Sequence, residues 1–259
     1  MTLPFRLATS LLMAMPMLVS GAPATAEEFA GAIERAHGID AWRSHRAVEA
    51  SIEVIFGGET RLHGVMTFET QSMRVRIDQH SGTRLVFDGD RAWVSPGTAD
   101  FDSARFHLLT WPYFLAVPFK LRDPGTHIEL SGERDLGGVP HPTARLTFDP
   151  GVGDAPDDWY LLYRDPGSDL LHAMAYIVTY YGRPAEGEEE VHAIVYDGCV
   201  DFEGVTLSTR WRFHDWSEAE GIRGDPIGHV RITRLRFVDP PAGFFDRPAD
   251  AREDPLPAR

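Results

Sequence analysis

From Val48 to Phe56 an apolar side chain falls on every second residue: Val48, Ala50, Ile52, Val54 and Phe56, with Glu49, Ser51 and Glu53 between them. A period of two predicts a half-buried strand with one wet face. Gly57-Gly58 marks a turn, and Leu62, Met66 and Phe68 lie on the returning strand. Met73, Val75 and Ile77 then alternate with Arg74, Arg76 and Asp78. Leu85–Phe87 and Ala92–Val94 flank Asp88-Gly89-Asp90, a tight-hairpin signal. Further strands are predicted at Ile128–Glu133, Ala144–Phe148, Trp159–Arg164, Leu170–Tyr181, Val191–Tyr196, Val205–Phe213 and His229–Val238. In the last of these the phase slips by one between Val230/Ile232 and Leu235/Phe237, which predicts a bulge near Thr233.

Two stretches depart from this period. Glu27–Ser44 reads as helical, with Phe29, Ile33 and Ala36 at helical spacing, a break at Gly38 and Trp42 in a short second turn. Phe101–Phe119 opens on Asp102 as an N-cap candidate and contains a helical stretch that Pro112 is expected to kink or end. No charged side chain occurs from Phe106 to Phe119. The pattern predicts a mainly β (α+β) protein of about eleven strands, a large curved antiparallel half-barrel sheet around an N-terminal helix and an aromatic helical insertion. Residues 27–245 read as a single domain, and the Pro-rich residues 246–259 as a flexible tail.

The first 26 residues carry a different signal. Arg6, the apolar run Leu7–Val19 and the small residues Ala24-Thr25-Ala26 have the order of a secretory signal peptide cleaved after Ala26. Glu27 stands where a lipoprotein would need cysteine, so the expectation is a periplasmic or secreted protein that is not a lipoprotein. The formal net charge is −14, and no basic aromatic patch offsets it, which argues against nucleic acid as a partner. Cys199 is the sole cysteine, so no internal disulfide can form.

Candidate chemistry is sparse. There is no Gly-x-Ser-x-Gly elbow, and Ser81, Ser95, Ser103 and Ser131 fall in turn or loop settings. Cys199 lies between Asp197 and Asp201, which disfavour a thiolate, and reads as a half-buried structural thiol. Histidines lack HExxH-type spacing; His172 and His192, on strands joined by the Arg183–Glu190 loop, are placed too far apart to share an ion if His192 faces Ile177. Asp88 and Asp90 fit turn chemistry, and Asp157-Asp158 and Glu188–Glu190 fit solvated loops. Arg74, Arg76 and Arg84 could hold an anionic head group, but cross-strand pairing with Glu69 or Asp78 explains them as well. No catalytic residue, metal or cofactor is expected.

Three stretches, LVFDGDRAWVSP, WPYFLAVPFKLRDPGTHIE and DDWYLLYRDPGSDLLHAMAYIVTYY with the later Gly204-Val205-Thr206-Leu207 strand start, resemble an exported bacterial family with the LolA/LolB lipoprotein-carrier fold. The resemblance implies a half-barrel whose concave, apolar side holds acyl chains, with helices as a lid. A half-barrel too wide for its own side chains to fill leaves a cavity. Trp93, Phe106, Trp111, Tyr113, Phe114, Tyr176, Trp211 and Phe213 are the rings expected around it. The function expected is therefore a binding or carrier-like protein for an apolar or amphiphilic, lipid-like small molecule or acyl chain. Two alternatives stay open: an exported enzyme of hydrolase-like type, and a non-catalytic module that docks an envelope protein partner.

Overall fold

A computed structural model describes residues 25–182 and 190–257. Nearly all of the expected signal peptide, residues 1–24, and residues 183–189 of the acidic loop lie outside the described residues.

Helix α1 (Ala26–His37) starts with a capping box: the Thr25 hydroxyl accepts from the Glu28 N–H, and the Glu28 carboxylate accepts from the Thr25 N–H. It ends at Gly38 in the left-handed region, φ 82°, where α2 (Ile39–Ser44) begins. A Cβ at Gly38 would sit 2.0 Å from the Gly204 carbonyl oxygen, so both the turn and the close approach require glycine. The third helix, α3 (Ala104–Ala116), runs through Pro112 rather than ending there, and a 3-10 turn at Val117–Phe119 follows. Proline removes one helical hydrogen bond, but Leu108, Trp111, Phe114 and Leu115 are buried around it, and this packing sustains the helix. The cap also differs from expectation. Ser103, not Asp102, holds the N-cap position in a left-handed conformation with no side-chain cap. The acceptor comes from far along the chain instead: the Asp254 carboxylate takes the Arg105 N–H at 2.9 Å.

The strands are β1 (Ala47–Phe56), β2 (Glu59–Glu69), β3 (Val75–Gln79), β4 (Arg84–Phe87), β5 (Ala92–Ser95), β6 (Thr126–Leu136) and β7 (Val139–Phe148). They continue with β8 (Tyr160–Arg164), β9 (Leu171–Ile177), β10 (Val191–Phe202), β11 (Val205–Ser217), β12 (Gly221–Val238) and β13 (Arg252–Glu253). These thirteen strands of the described residues form one open antiparallel sheet in the order β13-β5-β4-β3-β2-β1-β12-β11-β10-β9-β8-β7-β6. The predicted bulge is present one residue along. Glu49 pairs with Arg236 and Ser51 with Thr233, and Arg234 takes the irregular φ of 54°.

Curvature follows from contacts. Arg105 of α3 lies over the Phe87 ring of β4, while Phe114 and Tyr113 of the same helix pack on Tyr160 of β8. Those strands are eight neighbours apart, or about 38 Å in a flat sheet at ~4.8 Å per strand. A helix ~10–12 Å across cannot bridge that distance, so the sheet curls around α3 as the half-barrel reading expects.

Two expectations are corrected. The expected flexible tail, residues 246–259, is instead held against the sheet as far as Asp254. Arg252 and Glu253 add an edge strand to β5, Ser95 bonds the Asp250 carboxylate at 2.6 Å, and the Asp254 N–H reaches the Ala92 carbonyl. Proline is compatible with an edge strand, where only one side of the backbone must pair. Nor is one face wet along the whole meander. Leu161, Tyr163, Ala173, Ala175, Ala193, Val195 and Trp216 form a second buried cluster on the outer side of β8–β10. The β11–β12 hairpin tip folds over these strands, and Trp216 Nε1 donates to the Tyr163 hydroxyl at 2.9 Å. Burial on both faces is the physical reason that Tyr160–Tyr163 reads as an unbroken apolar run.

Candidate functional site

The inner core is continuous along the concave side except near one end, where a cavity of about 230 Å³ lies between α3 and β7–β9. Its helix side is Phe106, Leu109, Thr110 and Tyr113; its sheet side is Phe148, Tyr160 and Tyr176. The loop after β7, with Val152 and Asp154, borders the opening. The helical spacing of 106, 109, 110 and 113 puts these four side chains on one face of α3.

Ring contacts fix the walls. Phe114 meets Tyr176 edge-on at 5.1 Å, Phe148 meets Tyr160 at 5.8 Å, and Phe106 lies 5.5 Å from Tyr180. The wall carries polar handles as well as rings. The Tyr196 hydroxyl, behind Phe114, donates to the Phe114 carbonyl at 3.1 Å. The Tyr113 hydroxyl is buried and has no hydrogen-bond partner among the described residues. Burial, and then the nearby Asp123 and Asp158 carboxylates, push the Tyr113 phenol far above its usual range, so it stays protonated and able to donate. Burial does the same to Tyr160 and Tyr176. At the rim, the Arg105 guanidinium pairs with Asp154 and with the Asp90 carbonyl, which ties the helix start to the loop. Asp158 accepts from both the Thr179 N–H and hydroxyl, ending β9 and fixing the chain beyond it.

Of the rings expected around the cavity, the structure brings Phe106, Tyr113, Phe114 and Tyr176 to its wall. Trp111, Trp211 and Phe213 lie in the same core without bordering it; Trp111 packs between Phe56, Phe114 and Phe213. Trp93 sits apart, on a small cluster with Val86 and Ala251, where its Nε1 donates to Asp88 and Arg247 covers its ring. Leu109, Phe148, Tyr160 and Tyr180 line the cavity without having been singled out. The i, i+3 spacing from Phe106 to Leu109 was available as a signal. Nothing local marked Phe148.

The other chemistry resolves into structure. Asp88 Oδ1 accepts from the Asp90 and Arg91 N–H groups, as a turn aspartate should. Arg74 pairs with Glu69, and Arg76 and Arg84 both pair with Asp78. Ser95 donates to Asp250, and Ser103 accepts from the Tyr181 hydroxyl. Cys199 is exposed rather than half-buried, because it lies on the open outer side of β10. His192 faces Tyr176, one residue from the expected Ile177, and approaches Asp215 at 3.7 Å.

No family model matches the chain, and no curated protein matches it in sequence. Solved structures do match. A LolA superfamily protein from Nitrosomonas europaea is 12% identical, with a TM-score of 0.51 over 87% of this chain and 99% of its own. A DUF1329 family protein from Desulfovibrio piger is 12% identical, with a TM-score of 0.52 over 85% and 97%. A domain from Vibrio parahaemolyticus described as outer membrane lipoprotein-sorting is 9% identical, with a TM-score of 0.53 over 86% and 97%. At these identities the likeness shows the fold, a LolA-type half-barrel. Among the described residues no helix is long and apolar enough to cross a membrane.

Proposed function

We propose that this chain is an exported carrier that holds one amphiphilic molecule with an acyl-like tail between α3 and the inner faces of β7–β9. The observation that carries the reading is the apolar cavity with a buried, unpaired Tyr113 hydroxyl in its wall. A ligand made only of hydrocarbon would leave that donor unsatisfied, whereas a carboxyl or ester oxygen would accept from it once the Tyr113 ring turns enough to bring the hydroxyl to the cavity surface. At roughly 30 Å³ for a water-sized group, the cavity has room for about seven or eight methylenes. Their burial is worth about 6 kcal/mol at ~0.8 kcal/mol each, before ordering costs. The N-terminal pattern of Arg6, Leu7–Val19 and Ala24-Thr25-Ala26 supports export. The fold shared with a lipoprotein-sorting domain is compatible with an acyl cargo.

The test is native mass spectrometry of gently purified protein, followed by titration of the delipidated protein with a fluorescent medium-chain fatty acid. One equivalent should bind, and Leu109→Trp, which directs a larger ring into the cavity, should suppress uptake while the circular dichroism spectrum is kept. A wild-type protein that carries nothing and takes up no fatty acid would overturn the reading.

A further inference from the structure

Far from any proposed cargo, three metal-ligating side chains converge past the end of β8. Thr143 of β7 pairs with Tyr163 of β8, and carrying that register two steps on sets His141 opposite Asp165. Asp165 opens the turn into β9. Its Oδ1 accepts from the Gly167 N–H, the Ser168 N–H and the Ser168 hydroxyl, at 3.1, 2.7 and 2.7 Å. Oδ2 is left toward His172, 3.9 Å from its Nδ1. His172 itself is the extra residue of a bulge: Tyr163 pairs with Ala173 and Arg164 with Leu171, so His172 leaves the ladder. The bulge turns its ring to His141, with Nδ1 2.8 Å from His141 Nε2.

The protons on His141 can be assigned from its partners. Nδ1 lies 2.8 Å from the Val139 carbonyl oxygen, which can only accept, so Nδ1 carries the hydrogen. In the neutral ring Nε2 then presents a lone pair toward His172. A backbone carbonyl on the far nitrogen is the support that orients a metal-bound imidazole. The three ligand atoms lie within 4.8 Å of one another; His141 is buried, while His172 and Asp165 are partly exposed, so an ion can enter from solvent.

We propose that His141, His172 and Asp165 form a binding site for a divalent transition-metal ion of the zinc type. Two imidazoles and one carboxylate suit zinc, copper, nickel or cobalt better than magnesium or calcium, which prefer all-oxygen shells. Zinc–nitrogen bonds of ~2.0–2.1 Å in a tetrahedral shell need the two nitrogens about 3.3 Å apart. The rings must therefore part by about half an ångström from their 2.8 Å contact while the carboxylate swings inward. A bulge and a turn can yield by that much without moving the ladder, and water completes the shell. Bound there, the ion ties β7 to the start of β9 across the end of β8, clamping the strands that carry the cavity's sheet wall.

The experiment is a titration of the chelator-treated full chain with Co²⁺ alone, read by visible absorption, then competition with Zn²⁺ and thermal unfolding with and without Zn²⁺. One equivalent of Co²⁺ should bind with a tetrahedral-type spectrum, and Zn²⁺ should displace it and raise the unfolding temperature. His172→Ala, at a partly exposed position, should weaken binding at least tenfold with the metal-free circular dichroism unchanged; His141→Gln gives an independent second variant. His63→Ala is the control, because His63 and His80 form another close pair, with ring centroids 4.2 Å apart. Absence of stoichiometric uptake, or uptake that survives both His172→Ala and His141→Gln, would overturn the proposal, as would loss in His63→Ala alone.

Discussion

His37 makes the stability of this fold depend on pH in a way that can be worked from its surroundings. Its ring is buried between α1 and the sheet. Nδ1 lies 2.7 Å from the Thr206 carbonyl and must donate to it, while Nε2 accepts the Leu171 N–H at 3.0 Å. A second proton, on Nε2, would face that N–H, and burial already disfavours the charge. Burial therefore lowers the pKa to about 4, only partly offset by the bond to Thr206. Because the folded-state pKa lies below the unfolded one, near 6.5, the neutral ring's stabilisation is complete above about pH 6.5. It is lost as pH falls toward 4. The full shift is worth about 3 kcal/mol, and about 1 kcal/mol of it should disappear between roughly pH 7.5 and 5.5. The paired carboxylates Glu69 and Asp78 leave this window free, because their pKa values are lowered and they release their contribution only in stronger acid, whereas His107 and His172, whose pKa values burial also lowers, do not.

His107 shares the window. Burial and then Arg61 lower its pKa to about 4, and its Nδ1 accepts from Trp111 Nε1 at 2.8 Å. Urea unfolding at several pH values separates the two. In His37→Gln the side chain keeps one donor and one acceptor but cannot take a proton. The variant should be less stable at neutral pH by about 1–3 kcal/mol, for imperfectly met buried hydrogen bonds. Its stability should nonetheless fall less steeply below pH 6.5 than that of the wild type. Parallel pH profiles for the two proteins, or a wild-type profile flat from pH 7.5 to 5.5, would refute the assignment.

Three further substitutions probe other joints. Tyr113→Phe removes the buried, unpaired hydroxyl and should raise the stability of the ligand-free protein by about 1 kcal/mol in urea unfolding, while weakening fatty-acid binding several-fold. Asp254→Ala deletes the acceptor at the start of α3 and should cost about 1 kcal/mol, with faster amide exchange at Arg105; unchanged exchange there would count against the cap. Gly38→Ala meets both a φ of 82° and the Gly204 carbonyl, and should cost more than about 2 kcal/mol in thermal unfolding; a loss under 1 kcal/mol would mean the two segments can move apart.

What the sequence could convey divides along physical lines. A period of two is a local property, so strands such as Val48–Phe56, the Asp88-Gly89-Asp90 hairpin and the phase slip beside Thr233 were legible within a residue or so. Long-range partners were not. Asp254 caps α3 from 149 residues away, and nothing near Ser103 announces it. The second buried face of β8–β10 depends on Trp216 arriving from the β11–β12 tip, although the unbroken Tyr160–Tyr163 run carried a trace of it.

The cavity wall follows the same rule. Phe106 and Tyr113 could be placed by helical spacing, whereas Phe148 and Tyr160 reach the cavity only because the sheet curls far enough to bring β7 and β8 against α3. Curvature likewise separates Trp111, Trp211 and Phe213 from the wall. They belong to the same apolar set, but they lie where the helix and strands are already in contact. Composition can therefore nominate rings, but the space between them is fixed by where α3 crosses the sheet, and α3 is held there by Arg105 to Asp154 and Asp90 and by Asp254 to the Arg105 N–H. The residues that position the cavity are thus charged groups at its rim and on the terminal segment, which no hydrophobic pattern could have identified.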